Sequence, residues 1–164
     1  MKKTILLAAI LIGVLLFSSG YSDSRYRHAK GEEAPALSIA EADSVISADR
    51  THGLYTLLTF WTSTDAPSRR AANLYTAWVR SHPGTPLNIV GVNFDESENL
   101  FNEIVRRDSL DADEHFNATE AEARAITDTY GLQKGYGSVL IDPYGKIIAY
   151  NPTDEQLETL SELR

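Results

Sequence analysis

The chain has 164 residues, 43% of them hydrophobic, and a formal net charge of −8. This length fits one domain plus a targeting segment, and this apolar content is enough for a core without covalent staples. The acidic balance speaks against nucleic acid as a partner, which needs a basic surface. The complete absence of cysteine excludes disulfide exchange, peroxide reduction through a sulfenic acid and cysteine-ligated zinc.

Met1-Lys2-Lys3 is a charged start, Thr4 to Phe17 is an almost continuous apolar run, and Ser18-Ser19-Gly20 supplies small residues. This is the layout of a secretory signal over residues 1–20. The alternative is a retained membrane anchor through residues 4–17. At about 1.5 Å per helical residue, Ile5 to Phe17 spans about 20 Å, short of the roughly 30 Å hydrocarbon core. Either reading makes the protein exported, periplasmic or otherwise extracytoplasmic. Residues 1–20 hold Lys2 and Lys3 and no acid, so their removal would take the net charge to −10. Residues 21–34 are polar and charged and read as a flexible linker, with the domain over 35–164.

Leu54 to Trp61 is apolar, aromatic and β-branched, which predicts a buried strand. A helix follows from about Pro67 to Ser81, with Ala71, Leu74, Tyr75 and Trp78 as its apolar face. Leu87 to Phe94 predicts the next buried strand. Asp95 and Ser97 offer caps for a helix carrying Leu100, Phe101, Ile104 and Val105. Thr119 and Glu122 form a capping box for a helix ending near Tyr130-Gly131. Ser138–Ile141 and Lys146–Tyr150 read as a hairpin around Asp142-Pro143-Tyr144-Gly145. Thr153 and Gln156 cap a last helix bearing Leu157 and Leu160. Strands alternating with helices, closed by a hairpin, predict an α/β fold with a central mixed sheet flanked by helices on both faces.

Phe60-Trp61-Thr62-Ser63-Thr64-Asp65-Ala66-Pro67-Ser68-Arg69 resembles the active-site segment of the thioredoxin superfamily, where Phe-Trp-small-Ser-x-Cys-x-Pro-Cys-Arg joins a buried strand to a helix. Ile89 to Asp95 is similar to the family's second central strand. Tyr130-Gly131-Leu132, followed by Val139-Leu140-Ile141-Asp142-Pro143-Tyr144-Gly145-Lys146-Ile147, is similar to its closing hairpin. The resemblance covers about Pro35 to Arg164 and points to exported thioredoxin-like proteins of the cytochrome-maturation and alkyl-hydroperoxide-reductase type. It implies a thioredoxin-like fold. It also marks Asp65 and Ser68 as standing where the attacking and resolving cysteines would be. Counting back from Asp142 places Tyr136 where the family has a cis-proline. A cis bond before a non-proline residue costs about 3 kcal/mol, so a trans bond is expected there, between the flexible Gly135 and Gly137.

Asp65 precedes a helix with proline in its first turn. It reads as an N-cap, or alternatively as an anionic contact or general base. Ser68 reads as a backbone-bonded hydroxyl. A serine nucleophile needs a nearby base, and His28, His52, His82 and His115 stand at unrelated positions. Trp61 reads as half-exposed packing, or as part of an apolar recognition patch with Tyr136. Arg69 and Arg70 read as a solvated helix face. The acidic residues Asp95, Glu96, Glu98, Asp108, Asp111, Asp113 and Glu114 read as solvated charge, because their spacing does not fit a calcium loop. No metal or cofactor is expected. The resulting expectation is a redox-inactive, non-enzymatic thioredoxin-like module. It would present Trp61, Thr64, Asp65, Ala66, Pro67 and Tyr136 to an unidentified envelope protein or peptide. The alternatives are an enzyme with hydrolytic or metal-assisted chemistry at Asp65, and a degenerate family member with a purely structural role.

Overall fold

The computed structural model describes residues 26–39, the backbone of 45–46, and residues 53–163. The expected signal or anchor, the first part of the expected linker and His52 lie outside these residues. The elements are β1 (Leu37–Ser38), β2 (Val45–Ile46), β3 (Tyr55–Trp61), α1 (Ala66–Ser81), β4 (Leu87–Asn93), α2 (Glu98–Arg107), β5 (His115–Asn117), α3 (Glu120–Tyr130), β6 (Ser138–Ile141), β7 (Ile147–Tyr150) and α4 (Asp154–Ser161), with a 3-10 turn at Leu132–Lys134. β1 and β2 pair as a small antiparallel ribbon.

The main sheet has the order β5-β4-β3-β6-β7. β3, β4 and β5 run parallel, and β6 and β7 are antiparallel to their neighbours. Alternation along β3 divides the core. Leu58 and Phe60 join Ile126 and Tyr130 of α3 on one face. Leu57 joins Leu157 and Leu160 of α4 and the half-buried Tyr75 and Val79 of α1 on the other. Helices therefore cover both faces of a mixed sheet, as the strand–helix order predicts.

The helix ends follow the predicted capping chemistry. Thr119 with Glu122, and Thr153 with Gln156, form complete capping boxes. α3 stops at Gly131, whose φ of 72° lies in the left-handed region that glycine tolerates. The face of α1 differs from the expectation in part: Tyr75 and Trp78 pack against the core as expected. Ser68, Ala72 and Thr76 are its buried positions, while Leu74 is 57% exposed. The helix is turned by about one position because Ala72 must pack against Trp61 and Phe101, where only a small side chain fits.

The expected tether also differs from Tyr26 onward. Gly31 donates to the Ile147 carbonyl at 2.7 Å, Ile147 donates back to Glu32 at 2.9 Å, and Ala34 donates to Gly145 at 2.8 Å. The segment thus covers the outer edge of β7, which would otherwise present unpaired backbone groups. Its side chains are tied down as well: Tyr26 stacks on Tyr150 with centroids 3.8 Å apart, and Tyr150 Oη donates to the His28 carbonyl at 2.7 Å. Residues 26–34 look polar in sequence because they bond through backbone and ring edges rather than through an apolar stripe.

Candidate functional site at the strand ends

β3 and β4 end side by side, Trp61 opposite Asn93 in register. The loop from Thr62 to Asp65 leaves β3 there and enters α1. Asp65 has extended backbone geometry and its carboxylate accepts from Ser68 N at 2.9 Å, which makes it the helix N-cap. Ser68 is buried; its hydroxyl donates to the Asp65 carbonyl at 3.1 Å and accepts from Thr62 N at 3.4 Å. Both residues that the resemblance sets at the thiol positions therefore hold the loop to the helix.

Asp95 does most to fix this loop, and its expected solvation is not what the structure has. Its side chain is buried. The carboxylate accepts from Ser63 N at 3.0 Å and from Asn93 Nδ2 at 3.0 Å, and also from the hydroxyls of Thr62 and Ser63. Asn117 extends the network, donating to Asn93 Oδ1 and to the Asp95 carbonyl, each at 2.9 Å. Burial by itself would raise the Asp95 pKa. The donors from Ser63, Thr62 and Asn93 outweigh it and hold the carboxyl below its ordinary value. A buried carboxylate is stable only when its lone pairs are satisfied in this way. The signal was present in the sequence: Asp95 follows the strand paired with β3 by two residues, at the same end of the sheet as the loop.

Asp108 corrects the same expectation. Arg69 grips it with two hydrogen bonds of 2.6 Å, a bidentate fork, and Asn73 adds a third at 3.1 Å. The Arg69 hydrogen bonds hold the Asp108 carboxyl below its ordinary value. Arg69 thus anchors α1 to the end of α2 rather than forming a solvated face.

Trp61 is a further correction. It is fully buried, because alternation along β3 places it on the α1 side with Leu57. There it packs with Ala72, Phe101, Ile104, Val105 and Leu110, so it belongs to no recognition patch. His115 meets its ring edge-on at 5.8 Å. A Cβ on Gly91 would overlap the His115 imidazole, so the glycine is required for that ring to lie under the sheet. Burial lowers the His115 pKa to about 4.

What reaches solvent is Thr64, Ala66 and Pro67, with Asp65 half-buried. Across from them Tyr136 is 36% exposed and leans on Phe94 at 5.3 Å between ring centroids. Every peptide bond among the described residues is trans, including that before Tyr136. Burial raises the Tyr136 pKa, and the charges of Asp65 and Asp95 add to it, which places the phenol in the field of both carboxylates. The described histidines are engaged elsewhere: His28 with the Thr129 carbonyl, His82 with the Trp78 carbonyl and His115 with Thr76. Among the described residues there is no group of three acidic or histidine side chains placed to hold a metal ion.

No family model and no curated protein matches the chain, but solved structures do. A thioredoxin-like protein from Parabacteroides distasonis is 33% identical, covering 67% of this chain and 81% of its own, with a TM-score of 0.62. The thioredoxin domain of a thiol-disulfide oxidoreductase from Bacteroides vulgatus is 22% identical, covering 83% and 97%, with a TM-score of 0.68. A thiol-disulfide oxidoreductase from Bacteroides fragilis is 22% identical, covering 81% and 100%, with a TM-score of 0.65. The chain belongs to the thioredoxin-like proteins. Within that fold it is a cysteine-free member, with Asp65 and Ser68 in the thiol positions, and it fits a redox-inactive module.

Proposed function

We propose that the protein is a non-enzymatic binding module of the cell envelope that engages a protein or peptide through Thr64, Asp65, Ala66, Pro67 and Tyr136. One observation carries the reading. The loop from Thr62 to Asp65 is held by a buried carboxylate with at least four donors, although neither thiol position retains a thiol. A rigid, solvent-facing loop lowers the ordering cost of association, and that benefit needs no reaction at Asp65. An exported location follows from the charged start, apolar run and small residues of the N-terminus.

Immobilised full chain is compared with its Tyr136→Arg variant for retention of proteins from an envelope extract, with disulfide reduction followed in parallel. The reading expects one discrete partner, lost in the variant, and background reduction. Disulfide turnover by the pure chain, or a partner held equally by both forms, contradicts it.

A further inference from the structure

The exposed edge of Tyr136 does not face open solvent on every side. It opens into a groove of about 870 Å³ that runs between the Phe94–Glu98 turn and α3. Phe94 and Tyr136 line one end of it as an aromatic ledge. Its rim is predominantly acidic: Glu96, Glu98, Glu120 and Asp128 are exposed there. Arg124 is the cation that lines it, and it is already paired with Glu120 one turn away. Arg27 touches Asp128 only at the backbone carbonyl. The buried Asp95, held in its charged form, adds negative potential beneath the ledge. Volume, an exposed aromatic contact and an excess of negative charge at Glu96, Glu98 and Asp128 therefore coincide in one place.

We infer that this groove receives an extended peptide segment of the partner that carries lysine or arginine side chains around an aromatic residue. The inference rests on the binding reading above and names the chemistry of its partner. The aromatic residue would stack on Tyr136 and Phe94, since such anchors supply most of the affinity in small interfaces. The cations would meet Glu96 and Asp128 across the groove, and rim pairs of this kind set selectivity and salt dependence more than raw affinity. An acidic segment would be repelled from the same surface, so the groove discriminates by charge.

The test uses three fluorescein-labelled octapeptides with the full chain. They are alternating lysine and phenylalanine, alternating glutamate and phenylalanine, and lysine alone. Binding is followed by anisotropy and mapped by amide chemical shifts. The lysine–phenylalanine peptide should bind, weaken as salt rises, and shift the amides of Phe94, Glu96 and Tyr136. Both control peptides should bind at least about tenfold more weakly, roughly the value of one desolvated contact. E96K/D128K should lose about tenfold, while E155K/E162K, on α4 and at its C-cap, should lose nothing. If E96K/D128K fails to fold by circular dichroism, E96Q/D128N supplies the same comparison and should lose about half of that effect in free energy. Equal binding of the lysine-only peptide, shifts at another surface, or indifference to both double variants overturns the groove. If the envelope partner is lost on Tyr136→Arg yet held by E96K/D128K, the binding reading stands and this inference fails. If Tyr136→Arg loses neither the envelope partner nor the peptide, the binding reading and this inference fail together.

Discussion

Tyr26 occupies the space that a side chain on residue 137 would need. A Cβ built on Gly137 falls within contact distance of Tyr26 Oη, and the same hydroxyl accepts from Asn151 Nδ2 at 2.7 Å. Asn151 in turn accepts from Ser138 N through Oδ1 at 2.8 Å. The N-terminal segment is thereby locked onto the loop that carries Tyr136 between Gly135 and Gly137.

Gly137→Ala should expel Tyr26 from this position. Overpacking of this kind costs about 1–3 kcal/mol, and loss of the ring stack in Tyr26→Ala should cost about 1–2 kcal/mol. Urea unfolding checks both values. The double variant should be less damaging than the sum of the two, because they break the same contact. Hydrogen exchange should also rise across residues 26–34 and 135–137 together.

Asp95→Asn should destabilise the protein by about 1–3 kcal/mol, since several buried donors lose an ionised acceptor. The pH dependence follows from the direction of the shifts. Asp95 and Asp108 are both held below the ordinary carboxylate value, so the unfolded chain binds protons more readily than the native one. Their contribution is complete above about pH 4 and is lost as pH falls through the lower folded values. Urea midpoints measured from pH 6 down to pH 2 should fall less steeply in Asp95→Asn than in the wild type.

His115 gives a second, separable pH window. Its pKa is lowered to about 4 by burial, whereas an unfolded histidine titrates near 6.5. Between these values only the unfolded state takes up a proton, so stability falls as pH drops from about 6.5 to about 4. His115→Phe should flatten the midpoint curve in that interval and leave the acid limb in place. A curve with an unchanged slope there would show that His115 titrates in the native state.

Asp65→Ala removes the N-cap of α1 and should cost about 1 kcal/mol. Asp65→Cys should place a thiol at the same helix end, where its pKa falls. Its reaction with a thiol reagent at pH 7 should exceed that of a cysteine placed at Ser161 on α4. Equal rates would mean that the loop no longer directs this position at the helix end.

The four longer strands, the capping boxes and the mixed character of the sheet were legible in the sequence because each rests on local periodicity, on a fixed cap spacing or on the alternation of strands with helices, whereas β1, β2 and β5 are only two or three residues long and carry no such period. The site was legible only in part. Thr64, Asp65, Ala66 and Pro67 follow from the chain's path out of β3. The burial of Trp61 follows from strand alternation with Leu57, a pattern overridden by the expectation that the tryptophan lies beside the old reaction centre. Asp95 and Asp108 looked solvated because their partners, Ser63 and Arg69, lie 32 and 39 residues away in sequence. The docking of residues 26–34 had no apolar signature at all, since it is made by backbone bonds to β7 and one tyrosine stack.

The central claim is that the former active-site face of this chain binds a partner without chemistry. A photo-crosslinking residue placed at Ala66 in living cells, with one at Ile148 on the far hairpin as the reference, tests it most directly. The account predicts a single adduct from position 66, absent from position 148 and abolished by Tyr136→Arg. No adduct at position 66, or the same adduct from both positions, would contradict it.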